Sequence, residues 1–388
     1  MDTAQYIQQC AQEDQAGLDE YIASRPAESS TAADQLDYDY LPRSPRSLPP
    51  QTFHVSTNLV CGCVTPGCAK THNLNRCSVC KVVQYCSREH QAADRRSHRS
   101  VCGKIKKAQA NLEYEEEDLR QEEGDGIFGE GGRGHFWRTH ETRDYMRARY
   151  TLVEALLKIN AFQAVSAALD HLLDMLELCR SDNLGARDVI PGLYIRLGRD
   201  QEAYDFCKWW ATTGQENDYD WDSTGLPYLD VKNADVFEEV GAFVGAWPSL
   251  AHNVAITLLK VRLMMDLQSL QQARLDAGPH VPQEILDTIQ QHTASSIITG
   301  RSEIVNRVDQ TPHIMQLQKQ VKELHAAVHK ANPYFWPALL KPGDNLKARP
   351  TSYGFGDMSH MQLVLQYTYN AWAETPGAIS AIGELLKA

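Results

Sequence analysis

Seven of the ten cysteines in this 388-residue chain fall between Cys61 and Cys102, while Cys10, Cys179 and Cys207 are scattered. A disulfide-stapled fold spreads its bridges along the chain; a concentrated cluster is the distribution of a metal-binding module. Zinc takes four sulfur or nitrogen ligands in a tetrahedron, usually delivered as closely spaced pairs. Within CGCVTPGCAKTHNLNRCSVCKVVQYCSREHQAADRRSHRSVC, Cys77 and Cys80 form a two-residue-spaced knuckle. Cys86 and His90 lie four apart, as do His98 and Cys102, so on a helix each set shares one face. A fourth pair combines Cys68 with Cys63 or with Cys61. Cys63 is preferred, because Pro66-Gly67 can fold the intervening turn and the shorter loop is easier to close. Eight ligands suffice for two zinc ions, and a module this small depends on them for its fold.

The order of these pairs resembles the MYND-type zinc finger. The motifs carrying the resemblance are the eight residues between the first two pairs, Tyr85-Cys86, Gln91 after the sixth ligand, and the closing His98-x3-Cys102. The resemblance implies a cross-braced fold, with Cys63, Cys68, Cys86 and His90 on one zinc and Cys77, Cys80, His98 and Cys102 on the other. Three positions depart from the family pattern. The opening pair is wider than Cys-x2-Cys, His90 stands where cysteine is usual, and Arg95 replaces a frequent tryptophan. In relatives that aromatic and the glutamine seat short proline-containing peptides; here Gln91 remains and the platform does not.

The rest of the chain sets the finger in a mainly α-helical protein. Residues 1–60 open with a short helical pattern, Ala4 to Ser24, then turn polar and proline-containing, a composition expected to be mostly disordered. The finger spans 61–102. Residues 103–134 read as a charged helix followed by a glycine-rich linker, with eight acidic residues between Glu113 and Asp125. Residues 135–388 read as an α-helical, repeat-like domain. RDYMRARYTLVEALLKIN and FQAVSAALDHLLDMLELC carry apolar residues at helical spacing. A third helix runs through LGARDVIPGLYIRL, capped by Asp182 or Asn183 and kinked or delayed by Pro191, and DQEAYDFCKWWATT follows Gly198 as a fourth. The pairs resemble tetratricopeptide-like hairpins, since Leu156-Leu157 before Ala167 matches Leu193-Tyr194 before Ala203. Further helices are expected at Leu250–Gln268, Gln283–Thr299, Ser302–Ala331 and Ser359–Glu374. The stretch ENDYDWDSTGLPYLDVKNADVF reads as a long ordered loop whose aromatics need somewhere to pack.

These features favour a zinc-binding interaction adaptor with protein partners over an enzyme. Two filled tetrahedra leave no open position for water or substrate, no His-Glu-x-x-His helix is present, and no catalytic residue is assigned. The Asn-His-Ser-Cys and Gly-Glu-Glu segments of a SET methyltransferase are absent as well. Cys179, Cys207 and the Trp209-Trp210 pair sit on apolar stripes and read as core. Two alternatives stand behind the adaptor reading: an enzyme whose site assembles from distant residues of the helical region, and, ahead of that, contact with nucleic acid through the finger. The net charge of −12 opposes it, but ten Lys or Arg against two acids lie between Cys61 and Lys107. A fold-back of the acidic stretch over this patch would mask it. No apolar run is long enough for a membrane helix, and the N-terminus lacks a secretory layout, so an intracellular site, nucleus or cytoplasm, is expected.

Overall fold

The computed structural model describes residues 59–129, 131–216, 218–245, 248–277, 295–305, 307, 309–350 and 352–385. The N-terminal segment up to 58, with its expected short helix, lies outside the described residues. The described part is mainly α, with twelve helices and one small hairpin, β1 (Asn75–Arg76) antiparallel to β2 (Gln84–Tyr85).

The first helix, α1 (Arg88–Glu123), runs 36 residues without interruption. The finger's last ligands and the acidic stretch therefore share one rod, about 54 Å long at 1.5 Å per residue. Ser87 starts it by accepting a hydrogen bond from the His90 amide, and Gly124 ends it at φ 76°, a left-handed value that glycine adopts without strain. Cys102, Ile105, Ala108, Leu112 and Leu119 recur on one buried stripe. That stripe packs on α2 (Thr142–Leu156). The connection is pinned by Phe128, whose ring meets Phe136 and Tyr145 and lies under the Arg120 guanidinium at 4.3 Å.

Short turns join α2 to α3 (Phe162–Leu178), α4 (Ala186–Arg196) and α5 (Asp200–Ala211), and each helix packs on the next. Of the two expected caps for α4 the structure uses Asp182. Its carboxylate accepts from the amides of Ala186 and Arg187, at 2.8 and 2.9 Å. Pro191 lies inside α4. Its ring removes the donor for the Arg187 carbonyl, and the imidazole Nε2 of His252 takes that place at 3.1 Å.

His252 belongs to α6 (Leu250–Ala277), which is buried along most of its length and on every face. A helix buried on all sides belongs at the centre of a bundle. Against it lie α4, α5, α7 (Ser296–Thr299), α9 (Thr311–Ala331), α11 (Met358–Ala373) and α12 (Ala378–Leu385). Several of the polar side chains it carries inward are partnered, while the buried Asn253 amide nitrogen is left without a hydrogen-bond partner among the described residues. Lys260 donates to the carbonyls of Val236 and Glu238, and Arg262 pairs with Asp200 at 3.3 Å. Gly192 lets α4 approach α11 closely, since a Cβ there would stand 2.8 Å from the Tyr367 carbonyl oxygen. At the end of this contact Arg196 grips Glu374 with two parallel hydrogen bonds of 2.9 and 3.0 Å, both side chains buried.

One expectation changes in detail. The helix expected over Ser302–Ala331 is broken into α8 (Ser302–Val305) and α9, because Pro312 suits a first turn and disfavours helix before it. Most of Gln283–Thr299 lies outside the described residues. Two short helices, α10 (Phe335–Leu340) and α12, carry too few turns to show a period in sequence. The aromatic loop after α5 is ordered as expected: Tyr219, Trp221 and Tyr228 pack edge-on or stacked against Trp209 and Trp210. Asp205 fastens its far end by accepting from the amides of Asn233 and Ala234, at 2.8 and 2.9 Å.

Candidate metal centres

Each ligand is placed by a local device. Thr65-Pro66-Gly67-Cys68 closes as a β-turn, with the Cys68 amide on the Thr65 carbonyl at 3.0 Å and Gly67 at φ 77°. Proline followed by a left-handed glycine is the chemistry a type II turn requires. The turn swings Cys63 and Cys68 together, while the Cys63 amide bonds the Lys70 carbonyl at 2.9 Å. Gly62 allows that approach, since a Cβ would sit 2.5 Å from the same oxygen. The second device is the knuckle, where the Lys81 amide donates to the Cys77 carbonyl at 2.9 Å with Lys81 at φ 61°. The third is α1, which carries His90 two turns before His98 and Cys102 one turn after it, with Cys86 held between the end of β2 and the Ser87 cap.

These devices bring the eight side chains into two groups, Cys63, Cys68, Cys86 and His90, and Cys77, Cys80, His98 and Cys102. Within each group all ligand atoms lie within 4.8 Å of one another. The Cys68–Cys86 and Cys77–Cys102 sulfurs are 3.7 and 3.8 Å apart. A tetrahedral zinc with Zn–S bonds of about 2.3 Å separates its sulfurs by about 3.8 Å. Cysteine-to-histidine separations are 3.4 Å for Cys63 to Nδ1 of His90, 3.2 Å for Cys86 to the same atom, and 3.4 Å for Cys80 to Nε2 of His98. Two Cys3His groups of these dimensions fit two zinc ions. The pairs interleave along the chain, the first and third on one site, the second and fourth on the other, so each ion braces the segment between the other's ligands.

Burial acts to raise the Cys63 and Cys77 thiols, but hydrogen bonds outweigh it and hold both at about 6. Thr65 and Cys86 supply the backbone donors to Cys63, and Cys80 and Val79 those to Cys77. Thiolate is the form that binds metal, so the fold prepares both sulfurs for it. Cys61 is outside both groups, exposed, with its thiol 3.6 Å from the Leu59 carbonyl.

Sequence reasoning missed two supports. The buried Tyr85 hydroxyl donates to Asp94 at 2.7 Å, tying β2 to α1 between the two metal positions. Tyr85 was visible as part of the Tyr-Cys motif, whereas nothing local marks Asp94 as its partner. The second support is Val60, which pairs with the turn between α2 and α3: the Phe162 amide donates to the Val60 carbonyl at 2.9 Å. Gln91 and Arg95 are both exposed on α1. The idea that the acidic stretch folds back over the basic one is corrected, because both lie on one uninterrupted helix.

No curated protein and no solved structure matches the chain. Residues 60–102 match the family model of the MYND finger, so the segment that holds the two metal-binding groups is a MYND zinc finger.

Proposed function

We propose that this protein is an intracellular, non-enzymatic adaptor, nuclear or cytoplasmic, in which a zinc-structured finger and a helical domain each bind protein partners. The observation that carries the reading is the closed ligand set. Three thiolates and one imidazole at each site fill a tetrahedron, so the metals serve structure and leave the finger's surface as the working part. MYND fingers are protein-interaction modules. Thiol chemistry elsewhere supports no catalytic step: Cys207 is fully buried, and burial pushes its thiol well above the usual range. All nine described cysteines are free of disulfides, in keeping with a reducing compartment.

The helical domain contributes a second surface. Its hairpins α2 to α5 are read as tetratricopeptide-like, and the loop after α5 closes a groove of about 680 Å³ beside them. Tyr194, Phe206 and Tyr228 line it together with Arg180, Lys232 and Glu202. Aromatic faces beside charges of both signs suit an extended polypeptide segment. The test is partner identification with the full chain, its Cys77→Ser plus Cys80→Ser variant, and a Lys232→Glu plus Glu202→Lys variant. Binding confirmed with purified partners should fall into finger-dependent and groove-dependent sets. Partners indifferent to both variants would sink the reading.

A second reading is favoured by one observation, the exposed cations of the finger's helix, which make no ion pair among the described residues. Contact with nucleic acid through them predicts binding that falls steeply with salt in a gel-shift series.

A further inference from the structure

The charge on α1 is segregated along its axis. Its first twenty residues, Arg88 to Lys107, hold seven cations and two acids; its last eleven, Glu113 to Glu123, hold seven acids and one cation. This order opposes the helix's own dipole, which favours acids at the N-terminus and bases at the C-terminus. It also sets like charges four apart, Arg95 with Arg99 and Glu113 with Glu117, which weakens a helix. Helix stability is therefore not its reason. Neutralising the metal centres is not enough either. Six thiolates and two dications leave a net charge of −2, against ten cations and two acids between Cys61 and Lys107.

Five of these residues lie along one exposed flank of α1, away from the middle of its buried stripe. Arg95, Arg99, Lys106, Glu113 and Glu117 recur there at intervals of four or seven residues, and all are exposed. Gly103, near the end of the basic half, and Ala110, between the halves, are also exposed, and a Cβ at Gly103 would meet nothing within 4 Å. A face that is basic at one end and acidic at the other, with Gly103 and Ala110 on either side of Lys106 at its middle, is complementary to itself at both ends when turned end for end.

We propose that the outward face of α1 pairs antiparallel with the same face of a second copy of this chain, across a two-fold axis between Gly103 and Ala110. Arg95 and Arg99 of each copy then lie opposite Glu117 and Glu113 of the other, and the two small residues let the helices approach. An isologous contact of this kind closes on itself and forms a dimer rather than a filament. One occupant accounts for both halves of the helix, whereas a polyanion would account only for the basic half and would be repelled by the other. The net charge of −12 does not prevent it, since at physiological salt charges more than about 8 Å apart are largely screened.

Charge exchange on the full-length, zinc-loaded protein tests this, with mass followed by sedimentation velocity over micromolar to millimolar concentrations. Wild type should be a dimer that dissociates at high salt. Arg95→Glu plus Arg99→Glu, and separately Glu113→Lys plus Glu117→Lys, should each weaken self-association by about tenfold or more. Mixing the two variants should restore a heterodimer, and all four substitutions in one chain should restore the homodimer. Zinc content and circular dichroism verify that each variant is folded. A wild type that stays monomeric, or reversed variants that still dimerise, would overturn the proposal. So would folded variants whose charges fail to complement each other, or a monomer whose basic half binds heparin or duplex DNA.

Discussion

His252 donates from its Nε2 to the backbone carbonyl of Arg187, supplying the hydrogen bond that Pro191 withholds from its own helix. The carbonyl is an acceptor only, so the imidazole carries its proton on Nε2. A helix-breaking residue is thereby accommodated in the core through a side chain more than sixty positions away in sequence.

Removing either member should reveal the coupling. His252→Leu leaves the Arg187 carbonyl buried without a donor and should destabilise the helical domain by about 1–3 kcal/mol. In a Pro191→Ala background the amide of residue 191 can serve the carbonyl, so the same substitution should cost measurably less. Urea midpoints of the four proteins in this cycle check it. Strict additivity would show that the contact carries no energy.

Burial holds the His252 imidazole down at about 4, below its ordinary range. A depressed histidine contributes stability that is intact above the unfolded value of about 6.5 and declines as pH falls toward 4. The unfolded chain takes up the proton first in that window. Stability should therefore drop between pH 6.5 and 4, and the His252→Gln protein, which keeps a neutral donor, should lose less over the same range. Parallel urea titrations of the two proteins measure the difference; identical pH profiles would contradict the assignment.

Cys61 and Cys63 should separate by metal content. Cys61→Ser should retain two zinc ions per chain, since its sulfur stands outside both groups. Cys63→Ser should lose metal, and because the ligand pairs interleave, its content should fall toward zero rather than stop at one. Elemental analysis of dialysed protein decides between these outcomes.

Chelation should unfold less than the whole of α1. Zinc supplies roughly 10–16 kcal/mol of apparent folding free energy to small modules of this kind. Yet Ile105, Ala108, Leu112 and Leu119 are buried in the helix's contact with α2, independently of metal. Amide exchange after chelator treatment should accelerate over residues 61–100 and stay slow from 105 to 120. Uniformly fast exchange along α1 would mean that the finger and not α2 holds the helix.

Much of the site and the fold was legible in the sequence because the signals are local. Two-residue and four-residue spacings aim side chains at one ion whatever the rest of the chain does. Pro66-Gly67 announces its turn, and Gly198 and Gly124 end helices through the left-handed conformations that only glycine adopts freely. The aromatic loop was recognisable because Tyr219, Trp221 and Tyr228 cannot stay in water without cost. Less visible were α10 and α12, whose few turns give no period, and the continuity of α1 across the finger's boundary.

By itself the sequence determined the ligand types, their pairing and the helical character of the chain beyond the finger, since each depends on neighbours within a few residues. Tertiary structure decided that Cys63 and not Cys61 joins its group, that Val60 docks beside Ala161, and that His252 answers for Pro191. Those outcomes join residues tens of positions apart. They arise from which surfaces bury each other, and packing of that range leaves no mark in local spacing.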